Sequence, residues 1–543
     1  MKVSAQLLTA FAAIPVVISA TEQHNAPSHA QELLDQSMQW LDGFYDPKFG
    51  YLHDVSGSNA MRHNTRSSSW YALGLLARNG NDGDDVVQAE IVIAKLAQGQ
   101  FKDPSKQWYG DYQKYPEEPE VGSPYYAPVI YKTWDPNWRG FVGTTLILIF
   151  EEYGHLLSNE TQQILLDSIH LATVGDTYRV GGVDEDNLYP AYSNPIIMRA
   201  FMSAWVGRKM NDQNMTKTGE HEGQEIVDLF KGTNTLSEFN SPTYTGVSLY
   251  GLTFWSRYLP EDSVLSQWGP KMICETWKTF SEQWNHNLKN VAGPWDRGYG
   301  FDMNRYVSMM GLWLWALNGR EKSGMNARPS LMSHANDYAF APLVAVFADY
   351  HKTLIPDNLL EKMKTEPEEH IYTAQAYYPP FDLTTRNITT WVSENMTIGA
   401  QSYKQNVIGG PTKSQTQWSP AVAQWSRPGQ VAWLSLYSTE MELDVEVSAG
   451  HLGLQYPAGT NASRFTLMIG TFEEALTLYS LDDVPGLDIA VTGNVNMTYE
   501  WSFVGQQTGG SLVNDFEFWN CTFLVPDDFE GIPALSLDFT LKE

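Results

Sequence analysis

Three stretches in the first two thirds of the chain are apolar almost all the way round when wound as helices. They are RGFVGTTLILIFEEYG (139–154), NPIIMRAFMSAWVG (194–207) and NRYVSMMGLWLWALNG (304–319). A helix with no polar face has to be enclosed by other elements. Neighbouring stretches are one-sided instead: DDVVQAEIVIAKLAQGQ (84–100) and GEHEGQEIVDLFKG (219–232) gather their charges on one face. Periodicity predicts about twelve helices, at 29–43, 66–79, 84–99, 138–155, 160–173, 194–209, 219–231, 243–257, 264–287, 304–318, 336–350 and 356–364. Inner helices alternating with outer ones are what a ring of helical hairpins requires. The expected architecture is an (α/α) toroid of five or six hairpins, the sixth left open because 336–350 is apolar and 356–364 is short.

The links alternate as well. Those after the second, fourth and eighth helices are short (NGNDG, LLSNE, LPEDS), whereas 44–65, 100–137, 174–193, 232–242 and 288–303 are mostly longer and rich in aromatic and polar residues. In an up-down ring all odd-to-even links fall on the same rim, so these five should meet at one mouth. From about residue 366 the period changes to two, in segments such as QVAWLSLYS and ALSLDFTLKE separated by Gly, Pro, Asp and Asn. The chain therefore reads as an α+β multidomain protein: a toroid over 21–365, then a C-terminal antiparallel β-sandwich over 366–543.

Residues 1–20, MKVSAQLLTAFAAIPVVISA, have the charged start, apolar centre and small-residue end of a secretory signal peptide. Sequons at Asn159, Asn214, Asn387, Asn395, Asn461, Asn496 and Asn520 fit a secreted, extracellular glycoprotein. A formal net charge of −28 argues against a nucleic-acid partner, since phosphate binding needs a basic surface. No further stretch is long and apolar enough for a membrane span. Two cysteines, Cys274 and Cys521, leave open a disulfide or two buried thiols. Aromatic residues make up 13% of the chain, enough for a large core or for a groove that stacks sugar rings.

The mouth links carry the candidate chemistry. His63 and Arg66 precede the second helix; Trp134, Asp135, Trp138 and Arg139 precede the fourth, the two Trp as a possible stacking platform. Asp184, Glu185, Asp186 and Asn187 offer oxygens to calcium without a full loop signature; no other metal site and no cofactor is expected. Glu238, Asn240 and Tyr244 lie around Ser241-Pro242, which reads as an N-cap followed by Pro at the first helical position. GPWDRGYGFD (293–302), with His286 before it, supplies Trp295, Asp296, Arg297, Tyr299 and Asp302. An Arg beside a Tyr hydroxyl favours the phenolate and lowers its pKa from about 10, which suits proton transfer. The signatures HExxH, GxxxxGK[ST], GxSxG and paired CxxC are absent, which disfavours metalloprotease, kinase and serine-hydrolase chemistry.

RSSSWYALGLLARNG (66–80), FNSPTYTGVSLYGL (239–252) and GPWDRGYGFDMNRY (293–306), followed by a β-rich half, resemble the six-hairpin carbohydrate-active enzymes. The layout is most similar to that of heparinase II/III-like, alginate and chondroitin polysaccharide lyases. The resemblance implies a carbohydrate substrate and β-elimination at a uronate. It assigns Asn240 to neutralising the uronate carboxylate, Tyr299 to acting as base and acid, and Arg297 to supporting them, with the partner His open among His63, His286 and His334. One alternative is a glycoside hydrolase using two carboxylates from Asp135, Glu238, Asp296 and Asp302. A third is a non-catalytic glycan-binding protein, whose mouth would hold stacking Trp residues without close ionisable groups.

Overall fold

Burial sorts the helices into two rings. The computed structural model describes residues 28–54, 62–79, 83–325, 328–427, 430–470, 478–504 and 517–542. The expected signal peptide at 1–20 lies outside the described residues. Twelve α-helices are described: α1 His29–Asp42, α2 Thr65–Asn79, α3 Asp85–Gln98, α4 Asn137–Leu148, α5 Asn159–Asp176, α6 Ser193–Lys209, α7 Gln213–Thr233, α8 Tyr244–Tyr258, α9 Val264–Gln283, α10 Met309–Asn318, α11 Ala341–Lys352 and α12 Asp357–Lys362. Helices α4 and α10 are buried over their whole length, and α6 from Ser193 to Gly207 apart from Arg199. Outer helix α7 buries only Gly219, Glu222, Gly223, Ile226, Val227 and Phe230, one stripe at helical spacing. Inner helices α2, α4, α6, α8 and α10 follow one another round the ring, and α11 closes it against α1, α2 and α10. The sixth inner position, left open by the sequence, belongs to α11.

Boundaries moved where a cap decides them. Helix α10 starts at Met309 rather than 304 because the Ser308 hydroxyl accepts from the Gly311 amide at 3.0 Å. Helix α7 starts six residues earlier than its apolar stripe suggests, because Asp212 caps the amides of Asn214 and Met215.

After α12, twelve antiparallel strands form a sheet that divides into two layers. The strand Met396–Lys404 is the branch point. Its first half pairs with Ala421–Arg427, and its end, at Tyr403 and Lys404, pairs with Glu442–Ser448. Between the layers Ile398, Ala423, Leu434 and Phe523 meet Leu443, Leu454, Leu487 and Leu537 in one apolar cluster. The larger layer is also covered on its outer face: Val422, Trp433, Met468 and Phe518 pack into the core of the toroid. Two covered faces explain why QVAWLSLY reads as a continuous apolar run rather than a clean alternation.

The two domains approach closely at one point. A Cβ on Gly399 would lie 1.7 Å from the Gly293 carbonyl oxygen, so only glycine admits the contact. Nearby, Arg386 is fully buried between Asp382 (2.8 Å) and Asp296 (3.3 Å), and it donates to the Ser237 carbonyl at 2.7 Å.

Cys274 on α9 and Cys521 in the strand Phe518–Leu524 are free thiols, the second inside the sandwich core, so no disulfide joins the domains. Asn159, Asn214, Asn387, Asn461 and Asn496 are exposed and Asn395 is half-buried; Asn520 lies in a strand with its carbonyl oxygen buried. Among the described residues no helix is long and apolar enough to cross a membrane.

Arg386→Met leaves buried carboxylates without their cation, and removing one partner of a buried ion pair typically costs about 3–5 kcal/mol. Denaturant unfolding followed by tryptophan fluorescence should show a loss of that size. An unchanged midpoint would remove this contact from what holds the domains together.

Candidate active site

A cavity of about 300 Å³ opens at the rim where the odd-to-even links meet. The five odd-to-even links and the helix starts that follow them reach it with Arg66; Tyr131, Asp135 and Asn137; Asn187, Tyr192 and Asn194; Thr243 and Tyr244; and Arg297 and Tyr299; the α10–α11 link adds His334, Asn336 and Asp337. The predicted parity of the links brings the first five sets together; it does not account for the α10–α11 residues.

Arg297 organises one wall. It sits in the left-handed backbone region at φ 55°, and its guanidinium donates to Glu238 at 2.9 Å and to the Tyr192 hydroxyl at 3.1 Å. The same guanidinium lies 3.7 Å over the ring of Tyr244. The hydroxyls of Tyr244 and Tyr299 are 2.5 Å apart. Tyr299 in turn stacks on the His334 ring, 4.3 Å between centroids, and His334 Nδ1 is 3.5 Å from Asp337. Tyr244 is placed by the start of α8, where its amide donates to the Ser241 hydroxyl at 2.9 Å.

The effect expected of Arg297 on its neighbours is outweighed. Burial holds Tyr244 well above the ordinary tyrosine value and also raises Tyr299, although Arg297 pulls both down. Both are neutral phenols near pH 7.

Glu238 is not a free acid. Its second oxygen accepts from the amide (2.9 Å) and side chain (2.8 Å) of Asn194 at the start of α6. It does not line the cavity; it holds Arg297 and Asn194 together. Asn240 also points elsewhere, donating to the carbonyls of Ala292 (2.7 Å) and Pro294 (2.9 Å), which pins the segment 292–294. Asp296 faces the β domain and Arg386, where burial pushes it up to about 7. Asp302 is buried on the same side, accepting from Asn304 and from the Val431 amide.

The expected Trp platform is not open. Trp134, Trp138 and Trp295 are buried, and Trp295 stacks on Phe301, which stacks on Trp433 of the sheet. Arg139 is fully buried and donates to the carbonyls of Gln107 and Tyr109, bracing the second link from behind. His286 lies away from the cavity against the Met363 carbonyl and Lys322. His63 turns to Glu117 and Asp46 rather than inward. In the calcium candidate, Asp186 is buried and paired with Arg179 at 2.9 Å, while Asp184 and Glu185 are exposed, so the run does not converge on one point.

Asn194, Tyr192 and Asp337 are site residues that sequence reasoning did not place there, and of the three histidines left open, His334 is the one at the cavity. Parity would have put the α10–α11 link, with His334 and Asp337, on the opposite rim; it returns to the mouth because α10 and α11 are both inner helices.

Because Asp296 faces away from the cavity, Asp296→Asn should leave the cavity lining unchanged. Its raised pKa means that the folded state favours the protonated form, so this contribution to stability is complete below about pH 4 and is lost as pH rises through about 7. Thermal melts should therefore show the wild type falling relative to Asp296→Asn between pH 4 and 7. A constant difference across that range would contradict the assignment.

No curated protein matches the sequence. Among solved structures, the chain is similar to heparinase III at 9% identity and a TM-score of 0.50, covering 98% of this chain and 88% of that one. It is also similar to a xanthan lyase from Paenibacillus (11% identity, 94% and 56% covered, TM-score 0.42). A third is chondroitin AC lyase from Streptomyces coelicolor A3 (8% identity, 94% and 79% covered, TM-score 0.36). At such identities the likeness is one of fold, the helical toroid followed by a β domain. Residues 368–540 match the family model described as domain of unknown function DUF8770. Residues 31–349 match the model described as domain of unknown function DUF8769, and the chain belongs to that family.

Proposed function

We propose that this chain is a secreted, glycosylated polysaccharide lyase that cleaves an acidic, uronate-containing glycan by β-elimination. The observation that carries the reading is the Tyr244–Tyr299 hydroxyl pair, 2.5 Å apart and beside the Arg297 guanidinium, on the wall of a cavity that also holds Asn194 and His334. Secretion and glycosylation rest on the leader-like N-terminus and the exposed sequons.

An anionic sugar suits the lining. Among the described residues Arg66 has no carboxylate within ion-pair distance; its guanidinium rests 5.0–5.2 Å from the rings of Trp70, Trp138 and Phe141. Arg66 and Arg297 are thus two cations beside the substrate volume. The elimination breaks the C5–H bond and the C4–O glycosidic bond and forms a C4=C5 double bond. The proton from C5 passes to a tyrosine oxygen, and a tyrosine returns a proton to the departing oxygen. Screening of the carboxylate at C5 by Arg297 and Asn194 lowers the cost of the enolate-like intermediate. Tyr299 is the proton acceptor of the pair in this reading, with Tyr244 donating to its phenolate and Arg297 lowering its pKa. His334, stacked on Tyr299, fixes that ring.

Acidic and neutral polysaccharides should be incubated with the protein while reducing ends and the absorbance of the unsaturated product are followed together. Both should rise with a uronate polymer. Reducing ends without absorbance would replace elimination by hydrolysis, with Asp135 and Asp337 as the acids facing the cavity. Tyr299→Phe and Tyr244→Phe should each lower kcat/KM by about 10²–10⁴, the usual worth of a general acid–base group. Full activity in both variants would overturn the tyrosine mechanism. Since the base form requires loss of a proton held above its ordinary pKa, kcat/KM should climb from pH 7 towards pH 9. Arg66→Ala should raise KM by about 10–100-fold with little change in kcat, the worth of a hydrogen bond to a charged group.

A further inference from the structure

The α1–α2 link holds a second cluster of chemistry-bearing side chains, which the proposed reaction does not use. Asp46 ends a two-residue strand, Tyr45–Asp46, paired with Tyr51–Leu52; His53 follows that pair and bridges backbone to backbone with His63, just before α2. The carboxylate oxygen Oδ2 of Asp46 lies 3.7 Å from Nε2 of His53 and 3.7 Å from Nε2 of His63. One ligand atom from each of the three residues falls within 4.8 Å of the others. At 3.7 Å neither contact is a hydrogen bond. The three atoms lie close together without bonding to one another.

The surroundings orient each donor. The other Asp46 oxygen is held by the amides of Lys48 (2.9 Å) and Phe49 (3.3 Å), which leaves Oδ2 for the cluster. His63 Nδ1 contacts a Glu117 carboxylate oxygen. A carboxylate only accepts, so Nδ1 carries the proton and Nε2 presents its lone pair. That Nε2 is buried and has no hydrogen-bond partner, in a residue that is only 4% exposed. A carboxylate behind the imidazole, fixing its tautomer and raising its basicity, is the usual support of a metal-bound histidine. His53 stacks on His63 at 4.3 Å between ring centroids, and its side chain is about one-third exposed, which leaves a path from solvent.

We infer that Asp46, His53 and His63 form a binding site for a divalent transition-metal ion of the zinc class. Two imidazole nitrogens and one carboxylate match the ligand preference of zinc, whereas calcium and magnesium take oxygen ligands. Zinc bonds of about 2.0–2.2 Å imply ligand–ligand edges of about 3.3 Å in a tetrahedron, so the two Asp46–His edges, at 3.7 Å, need to close by a few tenths of an ångström and the imidazoles to turn towards the ion. A bound ion would staple the link to the N-terminus of α2, which presents Arg66 to the cavity, so its role is to fix the mouth rather than to act on substrate.

The full-length protein, stripped with a chelator and dialysed, should be titrated with Zn²⁺ by calorimetry and with Co²⁺ by visible absorption. One ion per chain is expected, with the visible bands of four-coordinate Co²⁺ and a higher melting temperature on zinc addition. His63 is buried, so the deciding variants are His53→Ala and Asp46→Asn. Each should abolish the bands, while Glu117→Gln should weaken binding by about 10–100-fold. No saturable binding, or binding unchanged in His53→Ala and Asp46→Asn, would overturn the site. Because the readouts are metal binding and melting, they stand or fall independently of lyase activity.

Discussion

A guanidinium with no exposed surface, that of Arg386, is the contact on which the arrangement of the site depends. It reaches from the sheet domain to Asp296 and to the Ser237 carbonyl, each close to a residue that builds the cavity wall. Asp296 is followed at once by Arg297, and Ser237 by Glu238. A buried ion pair is weak evidence for net stability, because desolvation offsets much of the attraction. Its value here is geometric. It fixes where the fifth mouth link meets the fourth, and so where Arg297 finds Glu238 and Tyr244.

Two opposing electrostatic effects meet at Tyr244 and Tyr299. A nearby cation stabilises a phenolate, and exclusion of water destabilises it. In the ligand-free cavity the second wins, which leaves two neutral hydroxyls sharing a hydrogen bond. Glu238 adds to this balance, since it draws part of the Arg297 charge away from the rings. An acidic sugar entering the cavity would compete for the same guanidinium.

The helical half was legible because each helix repeats its message over many residues. Helices α6 and α10 read as inner helices from their uniform apolarity, and the sheet read as strands from its period of two. Link parity then gathered Arg66, Asp135, Tyr244, Arg297 and Tyr299 at one mouth. Inside the links no period exists, so the direction of each side chain could not be read. Trp134, Trp295 and Asp296 were expected to face the mouth and face inward or towards the sheet, because a covering domain supplies partners such as Trp433 and Arg386 that no local pattern announces. Asn194 was missed for a related reason: as the second residue of a buried helix, it reads as part of the core rather than as the end of one that opens on a cavity. The sense of the tyrosine pKa shift was missed because the depth of burial is a tertiary property.

The short pairing of Trp295–Asp296 with Trp418–Ser419, together with the donation from the Gly298 amide to the Gln417 carbonyl, makes the sheet domain part of the frame of the mouth. The segment GPWDRGYGFD, within the region matched by one family model, is thus shaped by residues of the region matched by the other. Neither region can be exchanged for a foreign counterpart by recombination without respecifying that segment. Substitutions at Trp418 or Arg386 would therefore act on the loop that carries Arg297.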